Sequence, residues 1–126
     1  MTRRPTGQRH YPRTARLNEL LREIVADELE RVDDDRLVLV TVTGVEVEPD
    51  LRHATVWFDS PAGEEGDEEV LAGLADARVR LQAAVGRQAR TKRVPELSFR
   101  PDPAVRQGLR VEDILRRLHE EGDRPG

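Results

Sequence analysis

Four cationic side chains fall within seven residues of the sequence, with no acidic residue between them: Arg87, Arg90, Lys92 and Arg93. Such a cluster suits phosphate, because guanidinium and ammonium groups form charge-assisted hydrogen bonds with phosphate oxygens. The alternative is a solvated helix end, since the helix dipole favours cations near a C-terminus by about 0.3–1 kcal/mol each. The dipole accounts for one or two cations more easily than for four. From the residues alone both interpretations stay open.

Basic residues also collect at the N-terminus, although the whole chain has a formal net charge of −4. Residues 1–16 hold five arginines and no acid. The last two of these, Arg13 and Arg16, join the loop cations as candidate RNA-binding residues. Residues 1–13 contain two prolines, a glycine and few apolar side chains, so we predict a disordered basic arm there. The acids cluster elsewhere, at 33–35 and 63–69, which separates basic from acidic regions.

The residue types give little support for catalysis, a metal site or a glycine-rich phosphate-binding loop. The chain has no cysteine, which excludes disulfides and thiolate metal sites. His10, His53 and His119 lack the spacing of metal ligands. The glycines of the acidic segment 63–69 lie beside carboxylates, which would repel phosphate. We therefore expect no catalytic residues, no metal, no cofactor and no small-molecule substrate.

The length and hydropathy of the chain indicate its class. A chain of 126 residues fits one domain with a core of its own. No apolar run approaches the roughly 20 residues that span a bilayer, and no apolar stretch of a secretory signal follows the basic N-terminus. We expect a soluble cytoplasmic monomer without a membrane partner.

The scarcity of aromatic side chains limits how RNA could be held. There are four in the chain, Tyr11, Trp57, Phe58 and Phe99, and a stacking platform needs several exposed rings. Strand alternation turns Phe58 and Phe99 inward. Trp57 is then the lone candidate on the other face of the sheet, either open for stacking or part-buried under a helix or the arm. Recognition should depend on phosphates and RNA shape.

Alternating β-branched residues predict the strands that position these side chains. Two strands, at 37–49 and 54–60, should pair as an antiparallel hairpin. The alternation slips by one residue at Gly44, which predicts a β-bulge. A third strand is predicted at 96–100.

Helical spacing of apolar residues predicts the remaining elements. One helix should run from Thr14, a possible N-cap, to Val32. Another should cover about 70–85 and end before Pro95, which cannot continue a helix. A loop is predicted at 101–110 and a short closing helix at 111–121.

This order of elements is that of a type II K-homology (KH) domain, an α+β fold with helices packed on one face of a three-stranded sheet. Two motifs extend the likeness, V-x-P-D-L-x-x-A-x-V at 47–56 and R-V-P-E-L-x-F at 93–99. With them, "RLNELLREIVADEL" and a later G-x-R-x-E-D-I-L resemble the ribosome-binding factor A family. The resemblance implies a KH-like ribosome-binding domain at 14–118, followed by a flexible tail at 119–126.

The same resemblance implies a function. The family binds the free small (30S) ribosomal subunit and its rRNA late in maturation. It is linked to processing of the 5′ end of the 16S rRNA precursor and to growth in the cold, and it has no known catalytic activity. The implied partners are therefore the small subunit and its rRNA.

One segment departs from the family pattern. Ordinary KH domains clamp nucleic-acid backbone with a GxxG loop between two helices, and residues 66–93 contain no GxxG. The family usually has an Ala-x-Gly kink there, and the matching positions are Ala77, Arg78 and Val79. Because a β-branched valine disfavours positive φ, we expect the order α-β-β-α-(kink)-α-β with a shallower or displaced kink.

Two rival functions remain. The chain could be a protein–protein adaptor that docks through the acidic loop at 63–69, with the basic cluster incidental. It could also be a generic KH-type RNA-binding protein for mRNA or small RNAs. The missing GxxG loop argues against the second rival.

Overall fold

A computed structural model describes residues 14–122, without the side chains of residues 109, 110, 121 and 122. The helices are α1 (Ala15–Glu30), α2 (Asp67–Gln88) and α3 (Pro103–Gly122). The strands are β1 (Thr41–Val47), β2 (His53–Asp59) and β3 (Glu96–Pro101), and short 3-10 turns lie at Asp35–Leu37 and Gly63–Gly66. The predicted α+β class with one three-stranded sheet is confirmed. The predicted arm at 1–13, including Arg13, and residues 123–126 of the predicted tail lie outside the described residues.

The sheet has the order β1-β2-β3. Strands β1 and β2 are antiparallel, as predicted, and β3 runs parallel to β2. The register of the hairpin shifts between Val42 and Gly44, which confirms the β-bulge. Because the bulge adds one residue, Val42 before it and Val45 after it both face the core.

Helices α1 and α2 cover one face of the sheet and enclose the core with it. The alternation of β2 turns Ala54, Val56 and Phe58 to this face, and Val56 and Phe58 are at most 1% exposed. Full burial of such a side chain contributes about 1.5–3 kcal/mol relative to exposure. The helices add their apolar stripes, with the largest fully buried residues at Leu21, Val25, Leu74, Leu81 and Val85.

Helix α2 corrects the prediction of a kink at Ala77, Arg78 and Val79. It runs without interruption from Asp67 to Gln88. Ala77 faces the core at 6% exposure, whereas Val79 points to solvent at 81%. Valine replaces the family's glycine at position 79, and no residue of this segment adopts a positive φ. Ala77 is therefore a packing residue of a continuous helix.

Helix α3 begins earlier than predicted, which corrects the loop at 101–110. Asp102 caps it: Oδ1 of Asp102 accepts hydrogen bonds from the N–H groups of Ala104 (3.0 Å) and Val105 (3.4 Å). Pro103 occupies the first helical position, where its missing N–H is not needed. The helix also continues to Gly122, so residues 119–122 of the predicted tail are helical.

A charged cluster joins α3 to the rest of the domain. The Arg106 guanidinium, whose side chain is 10% exposed, contacts Asp59 at the end of β2 (2.7 Å) and Asp67 at the start of α2 (2.9 Å). The two carboxylates raise the pKa of Arg106 above its usual value. In the part of the chain that is described, no helix has the length and apolarity needed to cross a membrane.

Candidate nucleic-acid interface

The predicted cationic cluster lies where α2 ends and the chain turns towards β3. The helix ends at Gln88 with Ala89 as its cap, and Arg90 adopts the left-handed conformation with a φ of 54°. A left-handed residue after a helix is usually glycine, since a side chain costs about 1–2 kcal/mol there. Arg90 therefore redirects the chain at a conformational cost.

A side-chain hydrogen bond orders the next residues. The Thr91 hydroxyl donates to the carbonyl oxygen of Arg93 (2.6 Å) and so closes a tight turn around Lys92. The side chains of Arg90, Lys92 and Arg93 are exposed, and none of them forms an ion pair with another residue in the described range 14–122. Three of the four predicted cations are thus presented on one short loop, free of internal carboxylates.

The fourth cation, Arg87, has a different environment. It lies in the last turn of α2, and its Nη2 is 3.9 Å from Oε1 of Glu28 on α1. The helix ends between Arg87 and Arg90, so the two residues do not lie on one helical face. The Arg87 side chain is nonetheless 62% exposed, so it remains accessible to a ligand.

Glu28 is a nearly buried carboxylate shared by several guanidinium groups. Its Oε2 accepts a hydrogen bond from Nε of Arg80 (2.7 Å), and Arg31 lies 3.8 Å from Oε1. With Arg87, three arginines surround this carboxylate, although Arg31 has its closest partner in Asp27 (2.6 Å). The ion pairs of Arg80 and Arg87 with Glu28 connect α2 to α1.

The structure adds a cation that sequence reasoning missed. Lys92 and Arg93 line a groove of about 290 Å³ together with Arg52, which lies in the turn between β1 and β2. The apolar wall of the groove consists of Leu17, Leu51 and Pro95. We call Arg52, Arg90, Lys92 and Arg93 the basic rim. Arg52 occupies one of the unspecified positions of the motif at 47–56, so no local signal in the sequence identified it.

One acid, Asp50, also lines this groove. Its Oδ1 accepts a hydrogen bond from the backbone N–H of Arg52 (2.8 Å), and this bond holds the pKa of the Asp50 carboxyl below its usual value. Asp50 therefore stabilises the turn in which Arg52 lies. Three cations, Arg52, Lys92 and Arg93, line the groove with this one acid.

The remaining N-terminal candidate, Arg16, lies in the first turn of α1. It is exposed, and within residues 14–122 it has no ion-pair partner. The next residue, Leu17, lines the groove, so Arg16 is adjacent to the basic rim. Arg13 lies outside the described residues.

Carboxylates of the acidic segment 63–69 interact with other parts of the protein itself. Both carboxylate oxygens of Asp67 accept hydrogen bonds from Arg106 (2.9 Å each). Asp67, Glu68 and Glu69 form the first turn of α2, where the helix dipole stabilises negative charge. Among the described residues no group of three histidines or carboxylates is arranged to hold a metal ion.

Comparison with known proteins assigns a family to this arrangement. The family model for ribosome-binding factor A matches residues 13–115. Ribosome-binding factor A of Rubrobacter xylanophilus is 50% identical over 117 residues, which cover 90% of this chain and 94% of the relative.

Solved structures show the same similarity. The crystal structure of ribosome-binding factor A from Thermus thermophilus has a TM-score of 0.64 and 35% identity, and the match covers 70% of this chain and 93% of that one. A T. thermophilus homology model fitted into the cryo-EM map of a 30S–RbfA complex has a TM-score of 0.57 and 35% identity, with coverage of 68% and 91%.

Proposed function

The chain belongs to the ribosome-binding factor A family, and we propose that it is an assembly factor that binds the free small ribosomal subunit and its rRNA. The Thermus relative fitted into a 30S–RbfA map supports this proposal. The protein acts as a monomer in the cytoplasm and without catalysis. It serves the processing of the 5′ end of the 16S rRNA precursor late in maturation and supports growth in the cold.

The basic rim is the observation on which the proposal rests. Arg52, Lys92 and Arg93 line one groove, and Arg90 lies in the same loop without a carboxylate partner in the described chain. A charge-assisted hydrogen bond to a phosphate needs an accessible cation that no internal acid already neutralises. These cations meet that condition, and a protein with a net charge of −4 would otherwise repel RNA.

The apolar wall of the groove gives the basic rim a defined shape. Leu17, Leu51 and Pro95 give the groove a rigid side, and Leu51 holds a left-handed φ of 60° that fixes the turn beside Arg52. Phosphate contacts position a protein on RNA but convey no sequence information. Specificity for the small subunit therefore comes from the spacing of its phosphates against this groove.

Cosedimentation with free small subunits tests the proposal. Replacing Arg87, Arg90, Lys92 and Arg93 with alanine should leave the circular dichroism spectrum unchanged and abolish cosedimentation. The control removes four other arginines away from this loop, Arg22, Arg36, Arg116 and Arg117, so that the net charge changes equally. We call Arg87, Arg90, Lys92 and Arg93 the basic loop. Equal loss of cosedimentation in both variants, or loss in neither, would refute its assignment as the rRNA-binding surface.

Nuclease treatment separates this function from the protein-adaptor alternative. An RNA-held complex should release the protein when its rRNA is digested, whereas an adaptor docked through residues 63–69 should stay bound to its protein partner. The internal pairing of Asp67 with Arg106 leaves the acidic segment with less charge to offer a partner. Release by nuclease is the expected result.

A further inference from the structure

The outer face of the sheet, opposite α1 and α2, presents the single tryptophan of the chain. In β2, Ala54, Val56 and Phe58 are buried against the helices, whereas Trp57 points the other way and is half-buried. Its partner on β1 is Gly44, and its partner on β3 is Arg100. Gly44, Trp57 and Arg100 thus lie side by side in one row across the three strands.

Gly44 lies beside the indole ring without a side chain of its own between them. A Cβ atom built on Gly44 would lie 3.9 Å from Cδ1 of Trp57, an ordinary contact distance. Gly44 does not need the left-handed conformation, so its backbone does not demand a glycine. The missing side chain instead creates a notch next to an aromatic surface, on the strand that the bulge bends.

The charges around the notch favour an anion on one side. Arg100 is exposed and forms no ion pair within the described residues. The nearest acid of β2 on this face, Asp59, is held by Arg106 at 2.7 Å. Two further acids lie near the notch. Glu46 lies on β1 opposite Thr55, so the central strand separates it from Arg100, and Asp102 accepts a hydrogen bond from the hydroxyl of Thr43 (2.6 Å), beside Gly44.

We propose that this face binds one unpaired RNA nucleotide, whose base stacks on Trp57 in the notch over Gly44 and whose phosphate contacts Arg100. Gly44 and Arg100 lie on the two outer strands, about 10 Å apart at the roughly 4.8 Å spacing of neighbouring strands, and the long Arg100 side chain spans part of this distance towards the phosphate. Stacking on an aromatic side chain is tolerant of sequence because every base has a π-face. The site rests on the proposed RNA-binding function and adds a second contact surface to it.

The fluorescence of Trp57 tests the site directly, because the chain contains one tryptophan. In the free protein, acrylamide should quench the emission readily. Hexa-adenylate, an RNA without base pairs, should quench the emission further and protect it from acrylamide. The same ribose-phosphate chain without bases should bind the cations and leave the emission unchanged.

Substitutions at Trp57, Gly44 and Arg100 test whether RNA binds at this row of residues. Trp57→Ala should weaken binding of hexa-adenylate about 5- to 150-fold, the range expected for one lost stacked base. Gly44→Val fills the notch and should weaken binding while retaining the fluorophore. Arg100→Gln should weaken both RNA probes, whereas the matched control Arg116→Gln, another exposed arginine, should weaken neither.

Several outcomes would overturn the site. They are a tryptophan already shielded in the free protein, emission unaffected by hexa-adenylate, equal responses to RNA with and without bases, or Gly44→Val binding like the wild type. Failure of this kind, together with normal cosedimentation with small subunits, would leave the proposed function intact. The proposed function is tested separately, by whether the variant without Arg87, Arg90, Lys92 and Arg93 loses cosedimentation with small subunits.

Discussion

The backbone N–H of Glu96 donates a hydrogen bond of 2.8 Å to the carbonyl oxygen of Arg52. This bond lies at the point where the parallel pairing of β2 and β3 begins, with His53 opposite Glu96. It fastens the turn that presents Arg52 to the segment that follows Lys92 and Arg93. Cations some 40 positions apart in the chain therefore act as one surface.

Arg52 should consequently behave like a member of the predicted cluster. Arg52→Ala and Arg93→Ala should each weaken binding to small subunits, and each should reduce the slope of log affinity against log salt by about 0.7–0.9, the effect of one phosphate contact. For the wild type, about four contacts imply roughly fifty-fold weaker binding at 200 mM than at 50 mM salt. Titrations across this range measure the slopes. An Arg52→Ala slope equal to that of the wild type would remove Arg52 from the interface.

The left-handed conformation of Arg90 (φ 54°) predicts opposite effects on stability and binding. Arg90→Gly removes a side chain that costs about 1–2 kcal/mol in this conformation, and the greater entropy of unfolded glycine cancels about 0.5–1 kcal/mol of that gain. The variant should therefore be about 0.5–1 kcal/mol more stable in urea unfolding, yet bind small subunits more weakly. Arg93→Gly, at a position without positive φ, serves as the control and should gain no stability. A destabilised Arg90→Gly protein would contradict this account.

The comparison of Arg52 with Gly44 shows what the sequence could and could not predict. The bulge at Gly44 depends on residues within one strand, so the slip in alternation was sufficient to find it. The basic loop was found because its cations are contiguous. The contribution of Arg52 depends on the parallel register of β2 with β3, which no local pattern encodes.

Two errors have equally physical origins. The kink at Ala77–Val79 was inferred from a family pattern, but a helix without a glycine at position 79 had no reason to break. The early start of α3 was missed because Pro103 resembles a loop residue, although an aspartate followed by proline is also a common helix start. The pairing of Arg87 with Glu28 is a contact between helices and so lay beyond sequence reasoning.

The buried cluster around Arg106 predicts a large effect of one substitution on stability. Arg106→Ala leaves Asp59 and Asp67, whose side chains are 22% and 19% exposed, without their shared cation. Loss of one partner from such a cluster costs about 3–5 kcal/mol, and the partial exposure of the acids places the effect near 3 kcal/mol. Arg117→Ala breaks an exposed pair with Asp113 and should cost less than about 1 kcal/mol. Urea unfolding compares the two, and equal costs would contradict the assignment.

Asp102 predicts a contribution to stability that acid removes. The hydrogen bond from the Thr43 hydroxyl (2.6 Å), with help from the N–H groups of α3, holds the pKa of Asp102 below its usual value. A group with a lowered folded-state pKa stabilises the protein above its unfolded value of about 3.9, and this stabilisation is lost as the pH falls through the folded value.

The variant Asp102→Asn tests this linkage because asparagine also caps helices well. The free energy of unfolding should fall less steeply between about pH 4 and pH 2 in the variant than in the wild type. At neutral pH the variant should be the less stable of the two, since it lacks the ionised carboxylate. Parallel curves for the two proteins would show that Asp102 has no lowered pKa.

Photo-crosslinking within the complex with free small subunits tests the central claim most directly. A photoreactive amino acid in place of Arg93 reports what the basic rim touches, and the same amino acid in place of Glu65, in the acidic loop, is the control. We predict crosslinks from position 93 to 16S rRNA and none to rRNA from position 65. Crosslinks from position 93 to ribosomal proteins alone, or rRNA crosslinks from position 65 alone, would contradict the claim that these cations hold the rRNA.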